Sequence, residues 1–321
     1  MKIDTKLKTT KIGINNVSAK RIVSFLPSAT ELIFQLGAQD RLFGVTHECD
    51  FPKDASKKPR VIESVFEQEK MSSQEIDDKV CELSENKDEL FRLVTKNLIN
   101  ANPDLIISQE ICEVCSAYTS QVKQALEILE EKPDVYSMNP SDLNGVLTCA
   151  KEISEKIGMA QKGNEIVNSL NLRIEKIRKM NFQSRPNVLA IEWLEPFFTA
   201  GHWVPEMIEI SGGNNLITKT GDHSRKMEIK EIEDADPDFL LMMPCGFDVN
   251  RTILEYNKYL KENSRWNQIR AVKDGNVFSV DANSFFSKPS IRIVEGIEIL
   301  AKILHSDVID LDVPPNSFLK I

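Results

Sequence analysis

No continuous apolar run long enough to cross a bilayer occurs anywhere in these 321 residues, so insertion through a membrane-spanning helix is excluded. The basic stretch from Met1 to Lys20 likewise lacks the roughly 7–15 consecutive apolar residues of a secretory signal. It reads as a polar tail, and the expectation drawn from it is a cytoplasmic protein. Excess positive charge is also missing. Forty Lys and Arg against 49 Asp and Glu give a net charge of −9, which argues against a general nucleic-acid or anionic-membrane surface. Two catalytic signatures are absent. No Gly-Lys-Ser/Thr follows Ser211-Gly212-Gly213-Asn214-Asn215, so that run is a helix stop rather than a phosphate loop, and there is no G-x-S-x-G nucleophile elbow. The six cysteines, at 49, 81, 112, 115, 149 and 245, do not form the disulfide framework of a small secreted domain.

The chain does have the length of two ordinary domains. Its 41% hydrophobic and 28% charged residues suit a soluble globular protein. From Arg21, Ile22 to Leu26 reads as a buried strand, then Pro27, with Ser28 as the expected cap of a helix ending at Gly37. Leu42 to Thr46 reads as the next strand. Residues 68–100 carry two amphipathic stretches, through Ile76, Val80 and Leu83 and through Leu90 to Leu98, expected as a surface helical pair. Asn102-Pro103-Asp104 then leads into Leu105 to Ser108, a continuous apolar run of the kind a buried parallel strand needs. The layout recurs. Asn187 to Ile191 is a strand, Val204 to Ile210 a helix, and Asp236-Pro237-Asp238 leads into Phe239 to Met243. Two copies of one layout predict two tandem α/β lobes.

Proline is missing from 141 to 180, where Leu143, Val146, Leu147, Ala150, Ile153, Ile157, Ile166, Val167, Leu170, Ile174 and Ile177 follow a helical period. The expectation is a stiff connector helix over 141–181, with Gly158 and Gly163 as points of interruption. The resulting divisions are a polar tail at 1–20, a lobe at 21–140, the connector, a lobe at 182–308 and a tail at 309–321.

In open α/β sheets ligands bind beyond the carboxyl ends of the strands, so the loops there hold the candidate residues. They contain Pro27 to Thr30, His47 to Asp50, Gln109 to Cys115, Glu192 to Trp203, Cys245 to Phe247 and Asn283 to Ser287. Aromatic side chains at these ends suit a large planar ligand. Cys112-x-x-Cys115 is open to three readings: a redox pair, half of a zinc or iron site completed by His47 and Cys49, or idle thiols. A thiol-dependent enzyme is the alternative those four residues allow. His202 is a candidate ligand to a metal-centred molecule or a simple packing residue, whereas His305 reads as a helix-end residue and His223 has no evident partner. Glu31, Glu48, Glu110 and Glu192 sit in no catalytic motif and read as caps and polar lining.

Arg21-Ile-Val-Ser-Phe-Leu-Pro-Ser-Ala-Thr-Glu31 resembles the opening of the helical-backbone substrate-binding proteins of ABC importers for cobalamin, haem and iron–siderophores. Thr46-His-Glu-Cys-Asp-Phe-Pro52, Gln109 to Cys115, Ala200-Gly-His-Trp-Val-Pro-Glu-Met207 and Pro244-Cys-Gly-Phe247 are similar to a cobalamin-binding subgroup, in the same order along residues 21–305. The resemblance implies two Rossmann-like lobes joined by a long backbone helix, a non-catalytic cleft and a permease partner. It also implies cobalamin or another corrinoid as ligand, with haem or a ferric siderophore as alternatives. The matching positions are Pro27, Ser28, Ala29, Thr30, His47, Cys49, Glu110, Cys112, Trp193, Phe198, His202, Trp203, Cys245, Phe247 and Phe286. Cobalt ligation by His202 or His47 is a further expectation.

Overall fold

The computed structural model describes residues 18–110, 117–306 and 309–321. Its N-terminal lobe contains β1 (Ile22–Ser24), α1 (Pro27–Gln35), β2 (Leu42–Thr46), β3 (Arg60–Ser64), α2 (Ser73–Asn86), β4 (Phe91–Leu93), α3 (Thr95–Ala101), β5 (Leu105–Gln109), α4 (Ala117–Ile128), β6 (Asp134–Met138) and α5 (Leu143–Lys156). After α6 (Ala160–Arg178), the C-terminal lobe contains β7 (Asn187–Leu194), β8 (Phe197–Thr199), α7 (Val204–Ile210), β9 (Asn214–Asn215), α8 (Ile229–Ala235), β10 (Phe239–Met242), α9 (Val249–Tyr259), α10 (Arg270–Lys273), β11 (Val277–Val280), α11 (Ala282–Phe285), α12 (Ile293–Leu304) and β12 (Phe318–Lys320).

The first sheet has the order β4-β3-β2-β1-β5-β6 and is parallel except at β4. The second has the order β12-β11-β10-β7-β8, with β8 and β12 antiparallel and β9 pairing beside β7. The two expected lobes are present, and their common layout extends to single atoms. Asp104, after Pro103, accepts the backbone N–H groups of Lys20 and Arg21 as the chain enters β1. Asp238, after Pro237, accepts that of Asn187 at the start of β7. In each copy the preceding helix closes on a left-handed residue, Asn102 (φ 38°) or Asp236 (φ 43°), the residue type that tolerates that conformation best after glycine.

Three sequence expectations change. The 141–181 period is two helices, not one: α5 and α6 pack against each other, and the chain reverses at Gly158, whose φ of 70° is the left-handed helix stop that glycine favours. The backbone helix is therefore α6 alone, 19 residues or about 28 Å at 1.5 Å per residue. At its start Lys162 donates to the Leu36 carbonyl of the first lobe. Farther along, Arg173 makes a two-bond fork with Glu298 of the second. Second, the 68–100 helical pair is interrupted by β4, because the exposed edge of β3 offers Phe91–Leu93 a partner. Third, the 309–321 tail ends in β12, which covers the free edge of β11.

One continuous apolar cluster runs from Ile22, Leu26 and Ile33 through α5 and α6 to Trp203, Met207 and α12, so the lobes share a core. Within this junction Glu31 is buried, accepts a hydrogen bond from Ser290 and lies 3.9 Å from the Arg292 guanidinium. Burial outweighs both partners and pushes its carboxyl up from the ordinary value of 4.5. Above that value the unfolded chain has released the proton that the folded protein still holds, so Glu31 lowers stability as pH rises. Urea unfolding of Glu31→Gln across a pH series should therefore show a smaller loss of stability than wild type above about pH 4.5.

Candidate functional site

Strand-end loops of the two sheets meet through Trp193 with Ser73 and Ser290 with Glu31, and the predicted residues divide there into two groups. Pro27, Ser28, Ala29 and Thr30 form the first turn of α1 and are all buried. Pro27 occupies the first helical position and Leu26 the cap, so Ser28 does not cap the helix as expected. The Ser28 hydroxyl is buried without a hydrogen-bond partner. Cys49 was expected to face a ligand or metal. It is 1% exposed, with its sulfur 3.2 Å from Thr30 Oγ1 and 3.3 Å from Thr46 Oγ1. Burial pushes the thiol's pKa up, so it stays protonated and packs as part of the core.

Trp203, Phe247 and Phe286 are likewise core residues. The Trp203 indole N–H donates to the Phe286 carbonyl at 2.8 Å, and Trp203 and Phe286 belong to the cluster between the lobes. Phe247 lies beneath the Arg251 guanidinium, 3.7 Å from its ring. The apolar bulk that suggested ligand contacts is used to seal the lobe junction instead.

His47, Glu110, Trp193, Phe198, His202 and Cys245 retain exposed surface, although both ring nitrogens of His47 are buried. His47 follows β2, with its ring 5.8 Å from Phe91 and neither ring nitrogen hydrogen-bonded. Trp193, at the end of β7, packs 5.3 Å from Phe247, and Phe198 lies 5.6 Å from the Lys226 ammonium. His202 holds a left-handed φ of 54°, and its backbone N–H donates to the Asp222 carbonyl. Gly201 permits that approach, since a Cβ there would lie 2.4 Å from the Asp222 oxygen. The same loop brings His223 edge-on to His202 at 5.2 Å, a pairing with no local pattern to mark it. Burial and then His223 push the His202 pKa down, leaving a neutral imidazole with a free lone pair at neutral pH. Glu192 accepts from the Ser224 hydroxyl and the Gly201 N–H, and burial pushes its carboxyl up.

Cys112 and Cys115 lie outside the described residues. Among the described residues no three His, Cys, Asp or Glu side chains group around a possible metal position. With Cys49 in the core, the zinc or iron reading has no support here. Sequence reasoning also missed Ser73, Arg251 and Glu255, which connect the lobes across the cleft. Contacts between residues about 180 positions apart leave no local pattern.

The periplasmic binding protein profile matches residues 22–284. The chain belongs to that family. It is similar to an uncharacterized ABC transporter substrate-binding lipoprotein, YvrC, of Bacillus subtilis, at 24% identity over 297 residues, 90% of this chain and 81% of that protein. A vitamin B12-binding protein of Vibrio campbellii is 20% identical over 286 residues, 88% of each chain. Among solved structures, a periplasmic haem-binding protein of Pseudomonas aeruginosa superimposes with a TM-score of 0.67 at 17% identity, covering 92% of this chain and 96% of that one. Membership makes this periplasmic binding protein a two-lobed solute-binding component of ABC import, the coarse reading that the sequence supported. It also overturns one expectation. The cytoplasmic location inferred from the N-terminal residues conflicts with a family of periplasmic proteins and a lipoprotein relative, which point outside the cytoplasm. No helix among the described residues is long and apolar enough to cross a membrane.

Proposed function

We propose that this protein captures cobalamin or a related corrinoid in the cleft between its lobes, without catalysis, and delivers it outside the cytoplasm to an ABC importer permease. What carries the choice of ligand is the supply of cations at the lobe junction: three are engaged within the protein, and Lys288, near Glu31, is not. Arg251 bonds the Gln68 and Met71 carbonyls, Arg292 faces Glu31, and Lys226 pairs with Asp77. A haem brings two carboxylates, more than that one lysine can pair with. A corrin ring brings neutral amides, which suit polar strand-end residues such as Gln109, Asn283, Ser284 and Ser287 and the half-buried aromatics Trp193 and Phe198. Similarity to the vitamin B12-binding protein of Vibrio campbellii along 88% of both chains supports the same reading.

The ligand-facing residues in this reading are His47, Glu110, Trp193, Phe198, His202 and Cys245. The neutral His202 imidazole is the candidate donor to cobalt, and His47 could serve only once its buried ring nitrogens are uncovered. Calorimetric titration with cyanocobalamin, hemin and ferric desferrioxamine tests the ligand. Saturable one-to-one heat with cyanocobalamin is expected, and binding of hemin or the siderophore alone would replace the corrinoid. An aquocobalamin visible spectrum unchanged on binding to a His47→Ala/His202→Ala variant, relative to wild type, would remove cobalt ligation.

A further inference from the structure

Between β3 and β4 the chain leaves its own lobe and docks on the other. A single 3-10 turn, Gln68–Lys70, leads into α2, and both meet the N-terminal half of α9. Arg251 and Glu255 stand one helical turn apart on α9 and so share a face. The Arg251 guanidinium donates to the carbonyls of Gln68 (2.7 Å) and Met71 (3.0 Å), at the exit of the turn. Glu255 Oε2 accepts from the Ser73 N–H (2.9 Å) and hydroxyl (2.6 Å), at the start of α2. A cation thus meets carbonyls, and a carboxylate meets the exposed N–H end of a helix, each the charge that the backbone there favours. Ser73 is fully buried and Glu255 nearly so, hence water competes little for these bonds. The internal capping box between Ser72 and Glu75 leaves the Ser73 donors for the other lobe. Lys226 adds an ion pair to Asp77 at 3.1 Å.

The position of the contact gives it a consequence. The Trp193 indole N–H donates to the Ser73 carbonyl, and Arg251 stacks on Phe247, the ring packed against Trp193. The segment therefore uses the polar handle of the aromatic residue with most promise for a planar ligand.

We propose that residues 68–86 form a strap, latched by Arg251 and Glu255, that covers the Trp193 face and must be released for a ligand to bind there. This rests on the cleft reading above for its ligand, but the latch is testable without one. The latch holds the binding-competent state to a minority, so weakening it raises apparent affinity by the factor in which that minority grows. In free Glu255→Gln and Ser73→Ala variants, hydrogen exchange in α2 should accelerate about tenfold or more while α6 is unchanged. Acrylamide quenching of tryptophan should rise with it, because Trp203 and Trp266 are buried and Trp193 supplies the response. Cyanocobalamin should associate about tenfold faster with both variants, and its binding to wild type should deprotect α2. Unchanged α2 exchange in both variants overturns the latch. Accelerated exchange with an unaltered association rate, or greater α2 protection in the cyanocobalamin complex, overturns the cover. If cyanocobalamin binds none of the proteins, the corrinoid reading fails and so does the cover for it, while exchange still decides the latch.

Discussion

Trp203→Ala should lower the unfolding free energy by about 3–5 kcal/mol, the usual cost of deleting a buried aromatic side chain. The side chain is 3% exposed and lies in the apolar cluster shared by the lobes, so its removal opens a cavity where α7, α11 and α12 converge. It also removes the indole N–H that donates to the Phe286 carbonyl at 2.8 Å. Trp203→Phe separates the two effects, since it keeps most of the packing and should cost about 1–3 kcal/mol for the unpaired carbonyl and lost volume. Denaturant unfolding measures both. A stability near wild type with weakened ligand binding would instead return Trp203 to the cleft, as its sequence position suggested.

The second large effect concerns the pairing of α5 and α6. Replacing glycine by alanine within a helix normally stabilises it by about 0.5–1 kcal/mol. Gly163→Ala should do the opposite and destabilise by about 1–3 kcal/mol, because the added Cβ would sit 2.3 Å from both Cβ and Oγ of Ser154. Ser154 cannot swing aside freely. It is fully buried, and its hydroxyl donates to the Ala150 carbonyl one turn back. The two helices must therefore separate, which loosens the start of the backbone helix where Lys162 holds the first lobe. Ser154→Gly should restore most of the loss in the double variant despite its own helix penalty. Thermal unfolding of the four proteins gives the coupling directly, and an additive pair would show that the helices do not meet there.

The contrast between these residues shows which features were legible in sequence. Strands β1, β5, β7 and β10 are continuous apolar runs because parallel strands bury both faces, and the repeated Pro-Asp pairs marked the entries of β5 and β10. Edge strands β4 and β12 have no such run. They pair because β3 and β11 present free edges, a property of the assembled sheets. The break at Gly158 was visible as a possible interruption, but helical periodicity on both sides is the same whether the chain continues or folds back. At the site, strand-end loops located the right neighbourhood. Burial then divided them: Trp193 and Trp203 look alike in sequence, yet one keeps surface at the cleft and the other fills the lobe junction. The strap could not be read at all, since Ser73 and Glu255 are 182 residues apart.

The solute is proposed to bind on the aromatic face at the end of β7, between lobes held by a shared core. The most direct test is equilibrium titration of cyanocobalamin into wild type and Trp193→Ala, with thermal unfolding of both proteins. The account predicts saturable binding at one site per chain, weakened at least about tenfold by the substitution, as expected when a principal aromatic contact is lost. The unfolding temperature should fall only modestly, because Trp193 is half-buried and its indole gives up one hydrogen bond, to the Ser73 carbonyl. Wild-type binding that survives Trp193→Ala undiminished, or no binding by wild type, would contradict it.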